Sequence, residues 1–325
     1  MAKKKQDTAQ APAEKPAKKS TDDLEKAVAK KMLAAGSQES AAEAEIPDET
    51  PEAEVEDKTP TKPGEKFEKK VEVDFWMTNL HGAEIGIYQK ERFMAKNRAF
   101  SKNLDLIGAI KEEGKPDGMF GVDKDNWHDV PEKDLAQKRM VIKWFNSESV
   151  AHLGTIELIV LNSLAASIAS DDELPVLKCV IPNYDFLVDL KKEHTRLPKV
   201  GEMFACSIKN EKEGKWILVV FDEKRLTVGS DWDVKIGDGA RVVAKIDEKV
   251  LNIGGKFVVT FLDKDLYKLA PFFKTIILFT MMLRFKKEIM ESIGKLRDLV
   301  QKGKVKLDLA PEEEKFFWNP RLLRR

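Results

Sequence analysis

Residues able to support catalysis or metal binding are few and widely separated in this chain. The four histidines, His81, His128, His152 and His194, include no i, i+4 pair of the kind that holds zinc on a helix. WHDV and KEHTR place an acid beside a histidine, but adjacency in sequence does not build a catalytic triad. P-loop, G-x-S-x-G and G-x-G-x-x-G motifs are also missing. We therefore interpret the histidines as structural or surface residues and predict a non-enzymatic protein without metal or cofactor.

The end of the chain, EEEKFFWNPRLLRR, combines aromatic and cationic side chains. This composition suits an interface with a protein partner or with lipid headgroups. Packing of the aromatic rings against the fold, with solvated arginines, is an equally good interpretation. The candidate contact residues are Phe316, Phe317, Trp318, Arg321, Arg324 and Arg325.

Charge and cysteine content exclude several classes of protein. The chain has 56 Lys and Arg against 56 Asp and Glu, so it has no net field that attracts nucleic acid or anionic membranes. Cys179 and Cys206 are too few for a disulfide framework and too far apart for a zinc knuckle, which predicts two buried thiols. The opening MAKKKQDTAQ leads into polar, alanine-rich sequence rather than an apolar signal segment, which predicts a cytoplasmic location.

Composition divides the chain into four parts. Residues 1–65 contain no Phe, Trp or Tyr, which predicts a disordered charged tail. Within this tail, residues 21–35 have the capping and apolar spacing of a short helix, either a docking helix or a transient one. Residues 66–195 are predicted as a mixed α/β region, with the first part of a barrel as one interpretation. Residues 196–303 are predicted as a β-rich domain that ends in a helix, and 304–325 as a C-terminal extension.

Short patterns predict the elements of the mixed region. VEVDFW, KRMVIKWF and VLKCVI are typical of strands. SKNLDLIGAIKEEG has a cap, an apolar i, i+3, i+6 row and a final glycine, which predicts a short helix. PDGMFGVDKDNWHDVPEKD is rich in turn residues and is predicted as a loop. TIELIVLNSLAASIAS fits a strand or a helix equally well.

The second half has the rhythm of an antiparallel sheet that closes on itself. MFACSI, KWILVVF, RLTVGS, ARVVAKI and GKFVVTFL are separated by charged or glycine-rich turns. The apolar stretch LAPFFKTIILFTMMLRF follows and continues into the amphipathic KKEIMESIGKLRDLV, which predicts a helix over 269–302.

The apolar stretch is short for a membrane span, although snorkelling of its two cations towards the headgroups would lengthen it. Lys274 and Arg284 lie inside it, and the uncharged part between them covers about 14 Å of the roughly 30 Å of a hydrocarbon core. A helix that is apolar on nearly all sides is normally buried on all sides. The predicted fold is therefore β-rich α+β, an antiparallel barrel around a hydrophobic C-terminal helix with a disordered N-terminal tail.

Residues 226–285 resemble the C-terminal part of the tubby-like fold. DVKIGDGARVVAKIDEKVLNIGGKFVVTFLD, followed by an apolar helix, is most similar to the LURP-one-related branch and more distantly to the phospholipid scramblases. The resemblance implies a closed barrel with the helix through its middle. It also implies a peripheral role at membranes, with anionic lipid headgroups as partners, or a scaffold role. The matching positions are Ala244, Ile246, Lys249, Gly254, Phe257 and Asp263.

A second resemblance covers nearly the same residues. KVGEMFACSI, KWILVVF and VKIGDGARVVAKID resemble an S1-type OB barrel, on which Phe204, Trp216 and Phe257 would stack on bases. The sequence thus predicts a non-enzymatic binding or scaffold protein that associates with lipid headgroups. RNA or single-stranded DNA binding is the alternative, and a structural or assembly protein is a third class.

Overall fold

The structure, a computed structural model, describes part of the chain between residues 67 and 314. The described residues are 67–75, 104–123, 125–149, 151–194, 201–224, 229–237, 241–249, 255–305, 307, 311, 313 and 314. All of them belong to one compact unit, Lys62–Arg325. The predicted tail 1–65, with its helix 21–35, lies outside the described residues.

Twelve antiparallel strands form a closed barrel in which β12 pairs with β1. The predicted antiparallel barrel is thereby confirmed. It includes strands from both 66–195 and 196–303, since β7 pairs with β8 through Lys191 and Ala205. The strands are β1 (Lys69–Phe75), β2 (Leu104–Glu112), β3 (Lys115–Asp123), β4 (Val141–Asn146), β5 (His152–Leu158), β6 (Val176–Val180), β7 (Val188–Lys192), β8 (Met203–Asn210), β9 (Lys215–Glu223), β10 (Trp232–Ile236), β11 (Arg241–Glu248) and β12 (Lys256–Phe261).

The connections between strands differ at the two ends of the barrel. Neighbouring strands run in opposite directions, so successive connections alternate between the ends. We call the end with the β2–β3, β4–β5, β6–β7, β8–β9 and β10–β11 connections the hairpin end. The other, the helix end, has the connections that carry a 3₁₀ helix and α1. The helical elements are the 3₁₀ helix (Glu132–Gln137), α1 (Val160–Ser170), α2 (Lys264–Tyr267), α3 (Ala270–Leu283) and α4 (Lys286–Gln301).

Strand β8 follows the alternation expected for a sheet with one buried face. In β8, Phe204, Cys206 and Ile208 are buried, while Ser207 between them is exposed. Cys179 is buried as well, so both predicted buried thiols are confirmed. Burial raises the pKa of both thiols, which keeps them protonated.

The helix predicted in SKNLDLIGAIKEEG is wrong, because Leu104–Glu112 is strand β2. A β-bulge shifts the register between Leu106 and Gly108. The bulge changes the phase of alternation, so Ile107 and Ile110, three residues apart, both join the main core. β2 is also buried on its other face, in a second cluster. The bulge in β2 and the burial of both of its faces together gave this strand the spacing of apolar residues that is typical of a helix.

The loop predicted from PDGMFGVDKD is wrong in part, because Lys115–Asp123 is strand β3. Its glycines reflect close packing rather than turns. A Cβ built on Gly118 would lie 2.2 Å from Nε1 of Trp144, and one on Gly121 would lie 2.6 Å from the carbonyl oxygen of Asp105. TIELIVLNSLAASIAS, which fitted a strand and a helix equally well, contains one of each. Strand β5 ends at Leu158, and helix α1 begins at Val160.

Helix α3 is buried along most of its length and contacts several strands. The ring of Phe279 lies 5.3 Å from that of Phe204, 4.1 Å from that of Phe221 and 5.3 Å from that of Trp232. Near the other end of α3, the ring of Phe273 lies 5.4 Å from that of Phe261. No helix in the described part of the chain has both the length and the apolar character needed to cross a bilayer.

The helix predicted over 269–302 is divided in two at Arg284 and Phe285. After this turn, α4 is amphipathic and buries Ile289, Ile293 and Leu296, three members of its predicted apolar row. α4 packs against α1 and the 3₁₀ helix, so these elements together cover the helix end.

Candidate functional site

Lys274 lies at the hairpin end of α3, beside strands β4 and β5. It is one helical turn before Leu278, so the two side chains share a helix face. Leu278 packs on Gly154, where an added Cβ would lie 3.1 Å from its Cδ1. Gly154 pairs with Trp144 across β4 and β5. Lys274 is thereby placed near Trp144 and near His152, which starts β5.

Lys274 is half-buried and has no ion-pair partner in the part of the chain that the structure describes. Burial alone lowers the pKa of its ammonium group. Burial also lowers the pKa of His152, and the positive charges of Lys143 and Lys274 lower it further. Nε2 of His152 lies 2.8 Å from Oγ1 of Thr155. These side chains form a basic group, and no acid among the described residues pairs with Lys274.

Trp144 adds a buried hydrogen-bond donor near the first turn of α3. The residue is 1% exposed, and its Nε1 has no acceptor among the described residues. Nε1 lies close to Gly118. Trp144 pairs with Phe120, and Gly118 is two residues nearer to the hairpin end on the same strand. The N–H edge of the indole therefore faces the hairpin end. The ring of Phe273 lies 6.3 Å from that of Trp144, which connects the indole to α3.

The N-terminus of α3 is itself electropositive. Its N-cap residue, Leu269, provides no side-chain acceptor, and the first turn contains no acid. The ammonium of Lys274 and this helix terminus, which includes Pro271 and so lacks one N–H, therefore lie at one end of the barrel, with the buried indole N–H of Trp144 near the first turn of α3. We call these three features, with His152, the hairpin-end basic site. Its chemistry is that of an anion-binding site.

Two acids of the β2–β3 hairpin, Glu112 and Glu113, lie at the same end and are engaged by other groups. Lys69 lies 3.2 Å from Glu112 and 2.8 Å from Glu113. The hydroxyl of Tyr267 donates a hydrogen bond to Glu112. Burial and this hydrogen bond raise the pKa of Tyr267 to about 12, which keeps the hydroxyl protonated. Glu112 and Glu113 thus have cationic and hydroxyl partners, whereas Asp117 on β3 is half-buried and has a pKa raised by burial and by the charges of Glu112 and Glu148.

The helix end contains a lysine in the opposite situation. Nζ of Lys286, on α4, lies 2.9 Å from Glu202 and 2.7 Å from Glu223, and 5.0 Å from the centre of the Trp232 ring. Burial lowers the pKa of Lys286, but Glu202 and Glu223 raise it by more. An adjacent cavity of about 220 Å³ is lined by cations and carboxylates together, including Arg284. Lys286 is thus balanced by acids of the chain itself.

The structure separates the aromatic residues proposed to stack on bases. Phe204 and Phe257 are buried, at 0% and 2% exposure, so the prediction that they stack on bases is wrong. Trp216 is 57% exposed and contacts the ring of Phe186 at 5.4 Å, with Nζ of Lys209 4.6 Å from the Phe186 ring. The C-terminal candidates lie outside the described residues: Phe316, Phe317, Trp318, Arg321, Arg324 and Arg325.

Residues at the positions of the tubby-like resemblance have structural roles here. Ala244 and Ile246 are buried in the core with Phe257. Asp263 accepts hydrogen bonds from the N–H groups of Asp265 and Leu266, which caps α2, and it pairs with Arg241. Gly254 lies outside the described residues. These residues shape the chain before α3 and do not form a ligand site.

Among the described residues, no group of three or more His, Cys, Asp or Glu side chains is placed to hold a metal. His128 and His194 are exposed, and His194 lies 3.5 Å from Asp172. No family model, curated protein or solved structure matches the chain. Sequence reasoning missed the hairpin-end basic site, although a lysine inside an apolar stretch was a signal for it.

Proposed function

We propose that the protein is a non-enzymatic binding protein whose barrel surrounds α3 and whose hairpin end binds an anionic group. The observation that carries this proposal is the half-buried Lys274, which has no acid beside it. A buried charge without a partner destabilises a fold, so such a lysine is expected where a ligand supplies the counter-charge. The indole N–H of Trp144 and the N-terminus of α3 supply further donors.

Contacts on opposite sides of α3 support a barrel that surrounds this helix. Phe279 packs on residues of β8, β9 and β10, whereas Leu278 packs on β5. Phe273 packs on β4 and β12. A helix in contact with strands from so many parts of a closed barrel is expected to run inside it. The resemblance to tubby-like domains favours the same arrangement.

The ligand we propose is the phosphate of a membrane lipid headgroup. A phosphate supplies the negative counter-charge that is missing beside Lys274, and it accepts hydrogen bonds from the indole and from helix N–H groups. The tubby-like resemblance favours a lipid as its source, and the protein would then associate peripherally with membranes.

The test is binding of inorganic phosphate and of vesicles to the full chain. Vesicles of phosphatidylcholine with and without phosphatidylserine are sedimented with wild-type protein, Lys274→Gln and Lys287→Gln. Lys287 is the matched control, because its side chain is 88% exposed and lies at the helix end. We expect phosphate and anionic vesicles to bind wild type and Lys287→Gln, with roughly tenfold weaker binding to Lys274→Gln.

Equal binding by Lys274→Gln and wild type would contradict the proposed site. Binding of phosphate without binding of vesicles would keep the anion site and reject the lipid as its source. Both variants remove one positive charge, so a general loss of charge cannot produce a difference between them.

A second candidate function is binding of single-stranded nucleic acid at Trp216. The exposed indole, its contact with Phe186 and the nearby Lys209 have the composition of a stacking platform. Against it, the adjacent groove is lined by Asp189 and Glu193 as well as Lys191, so it has no excess of positive charge to attract phosphates. Oligonucleotide binding that is lost in Trp216→Ala, and unchanged in Lys274→Gln, would favour this candidate.

A further inference from the structure

Helix α1 begins at the helix end without a cap from its own neighbourhood. Ile159 is its N-cap residue and provides no side-chain acceptor, and the first turn of this 11-residue helix contains no acid. The first N–H groups of a helix need acceptors when they are buried. They find one far away in sequence, in the C-terminal segment.

Glu313 supplies the missing acceptor. The residue is 1% exposed, and its Oε1 accepts a hydrogen bond of 2.7 Å from the N–H of Leu161. The N–H of Val160 also donates to it. Burial raises the pKa of the Glu313 carboxyl, while these two N–H groups and Arg139 lower it. Burial is the larger effect, so the pKa of this carboxyl lies above its ordinary value although the surrounding donors suit a carboxylate.

Arg139 is the second, independent feature of this place. It is 3% exposed, and its Nε and Nη1 have no hydrogen-bond partner within the described ranges. Nη1 lies 3.4 Å from Oε2 of Glu157, so the guanidinium is only partly satisfied by that acid. A buried guanidinium with free donors, next to a helix N-terminus, favours a second carboxylate.

We propose that the N-terminus of α1 and Arg139 form a carboxylate-binding site, and that Glu313 is its intramolecular ligand. Glu313 anchors the C-terminal segment to the barrel, and a carboxylate supplied from outside competes for the same donors. The site lies at the helix end and does not depend on the anion site proposed at the hairpin end.

Chemical rescue tests this proposal in the full chain. Glu313→Ala removes the carboxylate, and Glu314→Ala is the matched control because Glu314 is exposed. Hydrogen exchange at the amides of Val160 and Leu161 is measured in sodium chloride and in sodium acetate of equal ionic strength. We expect exchange at these amides to become roughly 10- to 100-fold faster in Glu313→Ala, with no change in Glu314→Ala.

Acetate, and not chloride, should restore slow exchange in Glu313→Ala by occupying the site. Limited proteolysis gives the second measurement. In Glu313→Ala, acetate fills the site but cannot attach the C-terminal segment, so we expect this segment to be cleaved equally fast in acetate and in chloride. Unchanged exchange in Glu313→Ala would overturn the anchor, and equal exchange in acetate and chloride would overturn the carboxylate site. If Glu313→Ala does not fold, Glu313→Met keeps a side chain of similar length without an oxygen acceptor, and its exchange at Leu161 decides between the same outcomes.

Discussion

Lys274 and Lys286 lie on consecutive helices at opposite ends of the barrel, and their surroundings differ in one respect. Lys286 is held by two carboxylates, Glu202 and Glu223, whereas Lys274 has none among the described residues. Both are partly buried, so both lose some hydration. The comparison shows that this fold can satisfy a buried lysine internally. The unsatisfied lysine at the other end is the feature on which the proposed anion ligand rests.

The largest effect should come from the helix end of α3. Phe279→Ala removes a fully buried ring that contacts three other rings, and we expect it to lower the free energy of unfolding by about 3–5 kcal/mol. Chemical denaturation measures the loss, with Ile168→Ala as the exposed control. A loss as small as that of the control would contradict burial of α3 by the strands.

Gly118→Ala should disturb the hairpin end by displacing an indole. The new Cβ would lie 2.2 Å from Nε1 of Trp144 and 2.8 Å from the carbonyl oxygen of Phe145. We expect a loss of about 1–3 kcal/mol from overpacking, together with a change in tryptophan fluorescence. In Gly214→Ala, by contrast, the new Cβ meets no atom within 4 Å, although φ of +67° adds backbone strain there. Equal spectra for wild type and Gly118→Ala would contradict the position of Trp144.

The two lysines should respond to the same substitution with opposite signs. Lys286→Met leaves Glu202 and Glu223 close together without their cation, and we expect a loss of about 1–2 kcal/mol, since the pair is partly solvated. Lys274→Met removes an unpaired, half-buried charge, and we expect a gain of up to about 1 kcal/mol. Urea denaturation of both variants measures this. Destabilisation of equal size in both would remove the distinction between the two ends.

The smallest effect is a dependence of stability on pH through His152. Burial and the neighbouring lysines lower its pKa in the folded state below the ordinary 6.5, so the unfolded chain binds the proton more readily. The free energy of unfolding should therefore fall as the pH drops from about 6.5 towards the folded-state pKa. His152→Gln should flatten the curve in this window. A curve with the same slope in both proteins would contradict the lowered pKa.

The sequence predicted the barrel better than its individual elements. Strands with simple alternation, such as β8, were recognised because one face is buried and the other is not. β2 was not recognised, because its bulge and its two buried faces gave it the spacing of a helix. β3 was not recognised, because Gly118 and Gly121 were interpreted as turn residues when they make room for neighbouring groups.

The candidate site was less accessible from the sequence than the fold. Lys274 was noticed only as an interruption of an apolar stretch, since neither Trp144 nor His152 is near it in sequence. Whether a buried lysine has an acid beside it depends on strand register, which composition and periodicity do not supply. The same limit applies to Glu313 and Leu161, whose contact joins residues 152 positions apart.

The pKa of the Lys274 ammonium group, measured by NMR with and without inorganic phosphate, tests the central claim most directly. Lys286 provides an internal reference in the same spectra. We predict a pKa below the ordinary 10.5 for Lys274, a rise when phosphate is added, and a pKa above 10.5 for Lys286 that phosphate does not change. A Lys274 that titrates at its ordinary value and does not respond to phosphate would contradict the anion-binding site.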